Sequence, residues 1–188
     1  VNPSKSFGDE EKVTVKIQID NSLDLGWRRE DIILATNFPY EYNGIKAIQV
    51  SGDHYRPFFP QASKISTIID LIEKGFIKPD ELYWFHDWDA FQLEPFKVNI
   101  KNDEIAVTEY GGLKFGDRNR ISTGVIFFKM GALDIFVRMK KLCYEKKIDE
   151  EEALDTFPLV INVFLFYKLS HLFHFFENTS IIPNNSKL

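Results

Sequence analysis

The fold of this chain is constrained most by the alternation of strand-like and helix-like apolar patterns along it. Residues 13–19 (VTVKIQI) alternate apolar and polar side chains, which is typical of a strand with one buried face. Residues 31–37 (DIILATN) form a short apolar run, which is typical of a parallel strand buried on both faces. Residues 45–50 (IKAIQV) have the length and composition of a third strand. The first part of the chain therefore predicts three strands.

Helical and strand-like patterns alternate over the remaining residues. Isoleucines recur at helical spacing from Ser63 onward, and Gly75 is a typical helix-ending residue. Strands are further predicted at residues 82–85, 104–110, 121–128 and 172–176, and helices at residues 132–144 and 150–169. This order predicts a single α/β domain over residues 1–188, either alone or as part of a longer chain. Its central sheet is expected to be mixed, mostly parallel and flanked by helices.

Composition argues against several classes of function. The net charge of −5 offers no basic surface for nucleic acid, so nucleic acid is not expected as a partner. The one cysteine, Cys143, excludes an internal disulfide and fits a reducing compartment. No stretch approaches the roughly 18 apolar residues of a transmembrane helix, and no secretion signal is recognisable. A cytoplasmic protein is therefore expected.

Two carboxylates follow the strand predicted at residues 82–85. Asp87 and Asp89 are separated by one residue, so on an extended segment both side chains leave the same face. Paired carboxylate oxygens are ligands that Mg²⁺ or Mn²⁺ prefers, especially when a diphosphate supplies further oxygens. An Asp-x-Asp also occurs in ordinary polar turns, so its position at the end of a buried strand is what favours a metal site.

Polar residues also follow the first two predicted strands. They are Asp20, Asn21 and Ser22 after the first strand, and Thr36 and Asn37 at the end of the second. Ligands of open α/β sheets bind outside the carboxyl ends of the strands. We therefore expect these residues to share one rim of the sheet with the two carboxylates.

The acidic run at residues 149–152 opens the helix predicted to follow it. Acidic residues in a first helical turn complement the helix dipole and cap its free amides. One of these carboxylates can also face the site as a general base, and the two roles are compatible. No glycine-rich phosphate loop and no zinc-binding histidine spacing is present, so a bound nucleotide would need a metal ion and side chains.

Taken in order, these segments resemble the GT-A glycosyltransferases, which use nucleotide-sugar donors. The resemblance rests on the Asp-x-Asp after its strand, the preceding helix with Lys64, the Asp20 turn, residues 120–128 (RISTGVIFF) and the acidic helix start at residues 150–155. It covers roughly residues 11–180 and implies a GT-A-like, Rossmann-like domain. The phrase WFHDWDAFQ also resembles small transferases of large viruses and phages, for which the compartment would be the host cytoplasm.

The resemblance implies a role for each matching residue. Asp89 would bind Mn²⁺ or Mg²⁺, and Asp87 would bind the metal, its water or the ribose. Lys64 would contact the nucleotide or steady Asp87. Glu150 would be the base that deprotonates the acceptor hydroxyl, with Glu151 as the second choice.

The remaining donor contacts follow from the same resemblance. Asp20, Asn21 and Ser22 would hold the base and ribose of the nucleotide, with Thr36 and Asn37 at the same rim. Many GT-A enzymes add a histidine metal ligand near the C-terminus, for which only His171 or His174 is available before Leu188.

The expected function is metal-dependent transfer of a sugar from a nucleotide-diphosphate donor, a UDP-sugar by preference, to a hydroxyl acceptor such as a glycan. Inverting chemistry is slightly favoured over retaining. A nucleotidyltransferase of similar fold is one alternative, although the loop after the first predicted strand is acidic where such enzymes carry a basic, glycine-rich one. A non-catalytic carbohydrate-binding module, with Trp27, Trp84 and Trp88 as stacking surfaces, is the other.

Overall fold

The computed structural model describes residues 1–93, 97–115, 118–157 and 173–175. Its helices are α1 (Asp9–Asp24), α2 (Ser63–Glu73), α3 (Leu133–Lys146) and α4 (Glu150–Asp155). Its strands are β1 (Ala35–Thr36), β2 (Glu41–Tyr42), β3 (Ile45–Lys46), β4 (Ile48–Gln49), β5 (Tyr83–His86), β6 (Ala90–Gln92), β7 (Ile105–Phe115), β8 (Arg118–Phe128) and β9 (Phe173–Phe175). Short 3-10 helices lie at Arg29–Asp31, Gly52–His54, Pro60–Ala62 and Met130–Ala132. None of the helices in these described ranges is long and apolar enough to cross a membrane.

The largest sheet among the described residues has the strand order β5-β8-β7, with β8 antiparallel to both neighbours. Tyr83 pairs with Phe128 at one end of the β5–β8 ladder and His86 with Val125 at the other. The remaining described pairs are β1–β4, which is parallel, and β2–β3 and β6–β9, which are antiparallel.

This sheet is buried on both faces, which explains the continuous apolar run that ends β8. Phe127 and Val125 have no exposed surface and pack with Ala90, Ala106 and Ile100 on one face. The opposite face packs against α2 and α3 through Ile105, Val107, Ile126, Phe128, Ile65, Ile68, Ile69, Ile72, Phe136 and Met139. Each such large side chain contributes roughly 1.5–3 kcal/mol when fully buried, so this cluster anchors the strands that carry the site.

The prediction of a strand at residues 13–19 is wrong, because these residues lie inside α1. Val15 and Ile19 are buried, whereas Val13 and Ile17 are 57% and 49% exposed. The alternating β-branched residues imitated a strand, but burial follows the helical spacing of four residues between Val15 and Ile19. The acidic first turn of α1, which complements the helix dipole, is the signal that favoured a helix.

The second and third predicted strands are present only as short pieces. Residues 31–37 contain the end of a 3-10 helix and the two-residue strand β1, and residues 45–50 contain β3 and β4. The parallel pairing predicted for the first half is confined to β1 and β4, since β5, β7 and β8 pair antiparallel. The chain nevertheless has the α/β class that was predicted, with small parallel and antiparallel sheets and helices.

The other predicted elements are confirmed where the structure describes them. The helix from Ser63 ends before Gly75, whose φ of +75° is the left-handed conformation that glycine favours after a helix. Strands β5, β7, β8 and β9 and helix α3 match their predicted positions within a few residues. The helix predicted at residues 150–169 begins as α4, and its part after residue 157 lies outside the described residues.

Candidate functional site

Asp87 lies directly after β5, as the sequence predicted. Its backbone N–H donates to the carbonyl oxygen of Gly124 at 2.8 Å, which continues the β5–β8 ladder by one residue. Asp89 follows in the turn that leads into β6, and it is exposed. The half-buried first carboxylate is therefore fixed by the sheet, whereas the second lies in open solvent.

A large irregularity in the β7–β8 ladder leaves the part of β8 beside Asp87 unpaired with β7. Val107 pairs with Ile126, but the next residue, Thr108, pairs with Ser122. The residues 123–125 of β8 therefore have no partner residue on β7. This leaves the backbone groups of Thr123 to bond with side chains at the site.

Lys64 on α2 joins the carboxylates of two separate elements. Its Nζ lies 2.9 Å from Asp87 Oδ2 and 3.3 Å from Glu150 Oε1, and it also donates to the carbonyl oxygen of Thr123 at 3.2 Å. The side chains of Lys64 and Glu150 are only 7% and 4% exposed. A buried ammonium group needs such partners because the loss of its hydration is otherwise costly.

Both predicted base candidates reach β8 from the start of α4. Thr123 donates from Oγ1 to Glu150 Oε1 at 3.1 Å and from its backbone N–H to Glu151 Oε1 at 3.1 Å. Among the described residues, the buried Oε2 of Glu150 has no hydrogen-bond partner. Asp149 caps the helix by accepting from the N–H of Glu152 at 2.8 Å, so the acidic run serves both the helix and the site.

These groups line a cleft of about 470 Å³. Its walls come from the loop before α2, α2 itself, the turn after β5, strand β8 and the start of α4. The lining residues are Phe58, Phe59, Pro60, Gln61, Lys64, Asp87, Asp89, Ser122, Gly124, Asp149, Glu150 and Glu151. Five of these are carboxylates and one is an ammonium group, so the cleft has a strong excess of negative charge.

Burial at or near the cleft shifts the pKa values of three ionisable groups. Burial raises the pKa of Asp87 above its ordinary value, against the opposing effect of Lys64. Burial lowers the pKa of His86 to about 4, which keeps this imidazole neutral near pH 7. Burial, reinforced by Glu150, raises the pKa of the Cys143 thiol to about 11, so a thiolate nucleophile is not favoured there.

The lining suits a divalent cation only if a ligand completes its coordination. Among the residues that the structure describes, no three His, Cys, Asp or Glu side chains are grouped so as to hold a metal ion. Asp87 and Asp89 supply hard oxygen donors to the cleft lining. A diphosphate would have to add the rest. Of the two predicted histidine ligands, His171 and the side chain of His174 lie outside the part of the chain that the structure describes.

A clamp from α1 holds the Asp87–Asp89 turn, and the sequence did not reveal it. Gln18, which is 5% exposed, donates from Nε2 to the carbonyl oxygens of Trp88 and Ala90, both at 2.8 Å. Its distance to the Asp87 carbonyl oxygen is 3.4 Å. Since Gln18 falls in the segment predicted as a strand, its helical position and therefore its target were missed.

Not all of the predicted donor-binding residues share this cleft. Asp20 accepts from Tyr42 and Asn43, and Asn21 donates to the carbonyl oxygen of Gln92. Neither residue lines the cleft, because both lie on α1 rather than after a strand.

Thr36 and Asn37 are likewise engaged elsewhere. Thr36 is buried and donates to the carbonyl oxygen of Phe38, and the Asn37 amide exchanges two hydrogen bonds with the backbone of Asn2. Neither lines the cleft. The expected rim, in which these residues and residues 20–22 share one edge with Asp87 and Asp89, is therefore not formed at the cleft, which instead brings together Lys64, Asp87, Asp89, Glu150 and Glu151.

A second, more apolar cavity of about 460 Å³ adjoins the cleft. The two share Pro60, Gln61, Lys64 and Asp87. The second cavity is bordered by α1, residues 32–35 and α2, and it includes Ser22 of the predicted nucleotide-binding residues. Two neighbouring spaces, one acidic and one more apolar, thus share Lys64 and Asp87 in their walls.

No protein-family model matches the sequence, and no curated protein sequence matches it. The structure is similar to the crystal structure of a glycosyltransferase involved in the glycosylation of the major capsid of PBCV-1. The TM-score is 0.51 and the sequence identity 16%, over 81% of this chain and 72% of that chain. At this identity the likeness concerns the fold. This chain therefore has an α/β fold that is also found in a viral glycosyltransferase.

Proposed function

We propose that this protein is a metal-dependent glycosyltransferase that moves a sugar from a nucleotide-diphosphate donor, a UDP-sugar by preference, to a hydroxyl acceptor. The observation that carries the proposal is the meeting of Asp87, Asp89, Lys64 and Glu150 in one cleft. The fold shared with a viral glycosyltransferase supports it.

The donor is proposed to span both cavities. A nucleoside base has flat aromatic faces that would lie against the apolar wall of the second cavity, to which Ile33, Leu34 and Ala35 contribute. The diphosphate would then lie near Lys64 and Asp87, where the two cavities meet. The five carboxylates would repel a diphosphate that has no bound cation, so the donor is expected to enter together with a divalent cation.

The metal is assigned to Asp89 and Asp87, with Mn²⁺ or Mg²⁺ as the ion. When bound, it would act as a Lewis acid that stabilises the charge developing on the diphosphate leaving group. Lys64 holds Asp87 at 2.9 Å and so orients the carboxylate toward the cleft before any ligand arrives. The buried ladder bond between Asp87 and Gly124 supports the same orientation.

Glu150 is assigned as the base that receives the acceptor proton. Its Oε1 is held by Lys64 and Thr123, and its buried Oε2 has no partner among the described residues, while Glu150 as a residue lines the cleft. A carboxylate oxygen without a partner can accept a hydrogen bond from a hydroxyl that reaches it and take its proton as the new bond forms. This arrangement favours an inverting reaction, with Glu151 as the alternative base.

Two other functions have less support. Trp27 donates to Gln92 at 2.8 Å and Trp84 stacks on His86 with 4.2 Å between ring centroids, so both side chains are engaged in packing. Trp88, the third tryptophan of this alternative, is 43% exposed and meets Phe7 edge-on with 5.7 Å between ring centroids. A binding module that stacks its ligand on all three tryptophans is therefore disfavoured. No feature of the described residues specifically favours a nucleotidyltransferase.

The proposal is tested by thermal-shift measurements with UDP-, GDP- and TDP-sugars, each with and without Mn²⁺. A ligand at 100 times its Kd stabilises the folded state by about 2.7 kcal/mol, which is a readily measured shift. We expect a UDP-sugar to raise the Tm only when Mn²⁺ is present.

The matched variants are Asp89→Asn in the cleft and Asp103→Asn at an exposed position outside it. Both should have nearly native Tm values without ligand, because both side chains are exposed. Only Asp89→Asn should lose the Mn²⁺-dependent shift. A panel in which no nucleotide sugar changes the Tm, or an Asp89→Asn variant that keeps the full shift, would refute the proposed function.

A further inference from the structure

One large apolar side chain in the cleft lining is left in solvent. Phe58 is 88% exposed, although phenylalanine is among the residues most often buried. It lines the acidic cleft together with Phe59, and it does not line the apolar second cavity. The ring therefore stands beside the carboxylates and away from the space proposed for the nucleoside base.

The loop that carries Phe58 is anchored on both sides of it. Before the ring, the backbone N–H of Arg56 donates to Ser63 Oγ at 3.1 Å, and its guanidinium lies 4.3 Å from the centre of the Tyr144 ring. After the ring, Pro60 begins a 3-10 helix in which the N–H of Ala62 donates to the carbonyl oxygen of Phe59 at 3.0 Å. The backbone that carries the exposed ring is thus held at a defined place on the edge of the cleft, which lowers the entropy cost of binding a ligand there.

The chemistry of this edge restricts what it can bind. An aromatic face with negative quadrupole charge attracts the positively polarised C–H groups of a flat apolar surface. The nearby carboxylates Asp149, Glu150 and Glu151 accept hydrogen bonds and repel anions. A neutral sugar ring has both complementary surfaces, an apolar C–H face and a rim of hydroxyl donors. The same carboxylates would repel an acidic sugar.

We propose that Phe58 forms the aromatic platform of an acceptor subsite, on which a neutral sugar ring of a carbohydrate acceptor stacks. The inference rests on the proposed glycosyltransferase function and adds the class and place of the acceptor. A sugar stacked on Phe58 would have its hydroxyls in the same cleft that the carboxylate of Glu150 lines.

The test uses saturation-transfer NMR with the methyl glycosides of glucose, galactose, mannose, xylose, fucose, rhamnose and glucuronic acid. Each glycoside is added to the native protein in the presence of Mg²⁺ and UDP. At least one neutral glycoside should bind, and the glucuronide should not. Donor-side binding is measured separately as the Mg²⁺-dependent Kd of UDP.

Four variants then separate stacking from other effects. Phe58→Ala should weaken binding of the neutral glycoside about tenfold, which corresponds to about 1.4 kcal/mol. Phe58→Leu, which keeps apolar surface without a ring, should weaken it nearly as much, and Phe58→Tyr should retain it. Phe76→Ala, at a 41% exposed position that does not line the cleft, is the control and should bind like the native protein.

The inference is overturned if no neutral glycoside binds, if Phe58→Leu binds as well as the native protein, or if Phe58→Ala weakens UDP as much as the glycoside. In each of these cases the native protein can still bind UDP with the metal ion, so the proposed function would stand without this acceptor subsite. Loss of metal-dependent UDP binding by the native protein would instead contradict the proposed function.

Discussion

The side-chain amide nitrogen of Gln18 lies 2.8 Å from the carbonyl oxygen of Ala90, and so ties α1 to the end of the Asp87–Asp89 turn. A second N–H of the same amide reaches the carbonyl oxygen of Trp88 at the same distance. Because a glutamine amide has two N–H groups, both are used on the turn. The Asp87–Asp89 pair is therefore positioned from outside the sheet as well as by β5.

Replacing Gln18 with leucine should loosen this turn. The variant keeps side-chain volume but leaves two carbonyl oxygens without their donor, so we expect a loss of about 1–3 kcal/mol in the free energy of unfolding. Gln18→Glu should be worse, since it places acceptor oxygens against carbonyl oxygens. Urea denaturation gives the stability, and the Mn²⁺-dependent Tm shift with the UDP-sugar gives the effect on the site.

Ile17→Leu is the control, because Ile17 is the neighbouring residue on α1 and is 49% exposed. It should change stability by no more than about 0.5 kcal/mol. If Gln18→Leu were as stable as this control and kept the native metal-dependent shift, the turn would not depend on the clamp.

Thr123 should affect catalysis through Glu150. Thr123→Val removes the hydroxyl that donates to Glu150 Oε1 at 3.1 Å but keeps the shape of the buried side chain, which is 1% exposed. We expect the kcat for release of nucleoside diphosphate to fall roughly ten- to hundredfold, because a small displacement of a catalytic group has effects of this size. The KM for the donor should change little.

Thr123→Ser provides the matched comparison, since it retains the hydroxyl and loses only a methyl group. Its kcat should remain close to the native value despite some loss of packing. A serine variant that is as slow as the valine variant would show that the hydroxyl is not what positions Glu150.

His86 should contribute to the acid sensitivity of the fold. Its pKa is lowered from 6.5 to about 4 by burial, so the unfolded chain takes up a proton before the folded protein does. The free energy of unfolding should therefore fall as the pH is lowered from about 6.5 to about 4, and this contribution is fully present above pH 6.5. His86→Gln removes the titrating group, so its stability, measured by urea denaturation, should fall less steeply over this interval. Equal slopes for the two proteins would contradict this assignment.

The sequence predicted the buried sheet and its helices well because their apolar patterns are dense. In β8, Val125, Ile126 and Phe127 all have no exposed surface. A short continuous apolar run of this kind is typical of a buried strand. In α1, the buried stripe consists of Val15, Gln18 and Ile19, in which a polar residue replaces an apolar one. The stripe was hidden by Val13 and Ile17, which are exposed and happen to complete an alternating pattern.

The site was predicted in part for a related reason. Asp87, Asp89 and Glu150 follow or begin elements whose positions were predicted correctly, so their meeting in one cleft was foreseeable. Thr123 was not foreseeable, because its role depends on a shift in the β7–β8 register that frees its backbone. Gln18 was missed because its segment was predicted as a strand, and because its partners are backbone carbonyl oxygens rather than side chains.

The ion pairs of Lys64 bear on whether the cleft can form without a bound metal ion. The Nζ of Lys64 lies 2.9 Å from Asp87 and 3.3 Å from Glu150. The positive charge that offsets the repulsion between these two carboxylates therefore belongs to the chain itself. The cleft therefore does not need a divalent ion to assemble, unlike small domains in which metal binding and folding are one event. Under the proposed function, donor and metal would bind and leave in each catalytic cycle while the acidic cleft keeps its shape.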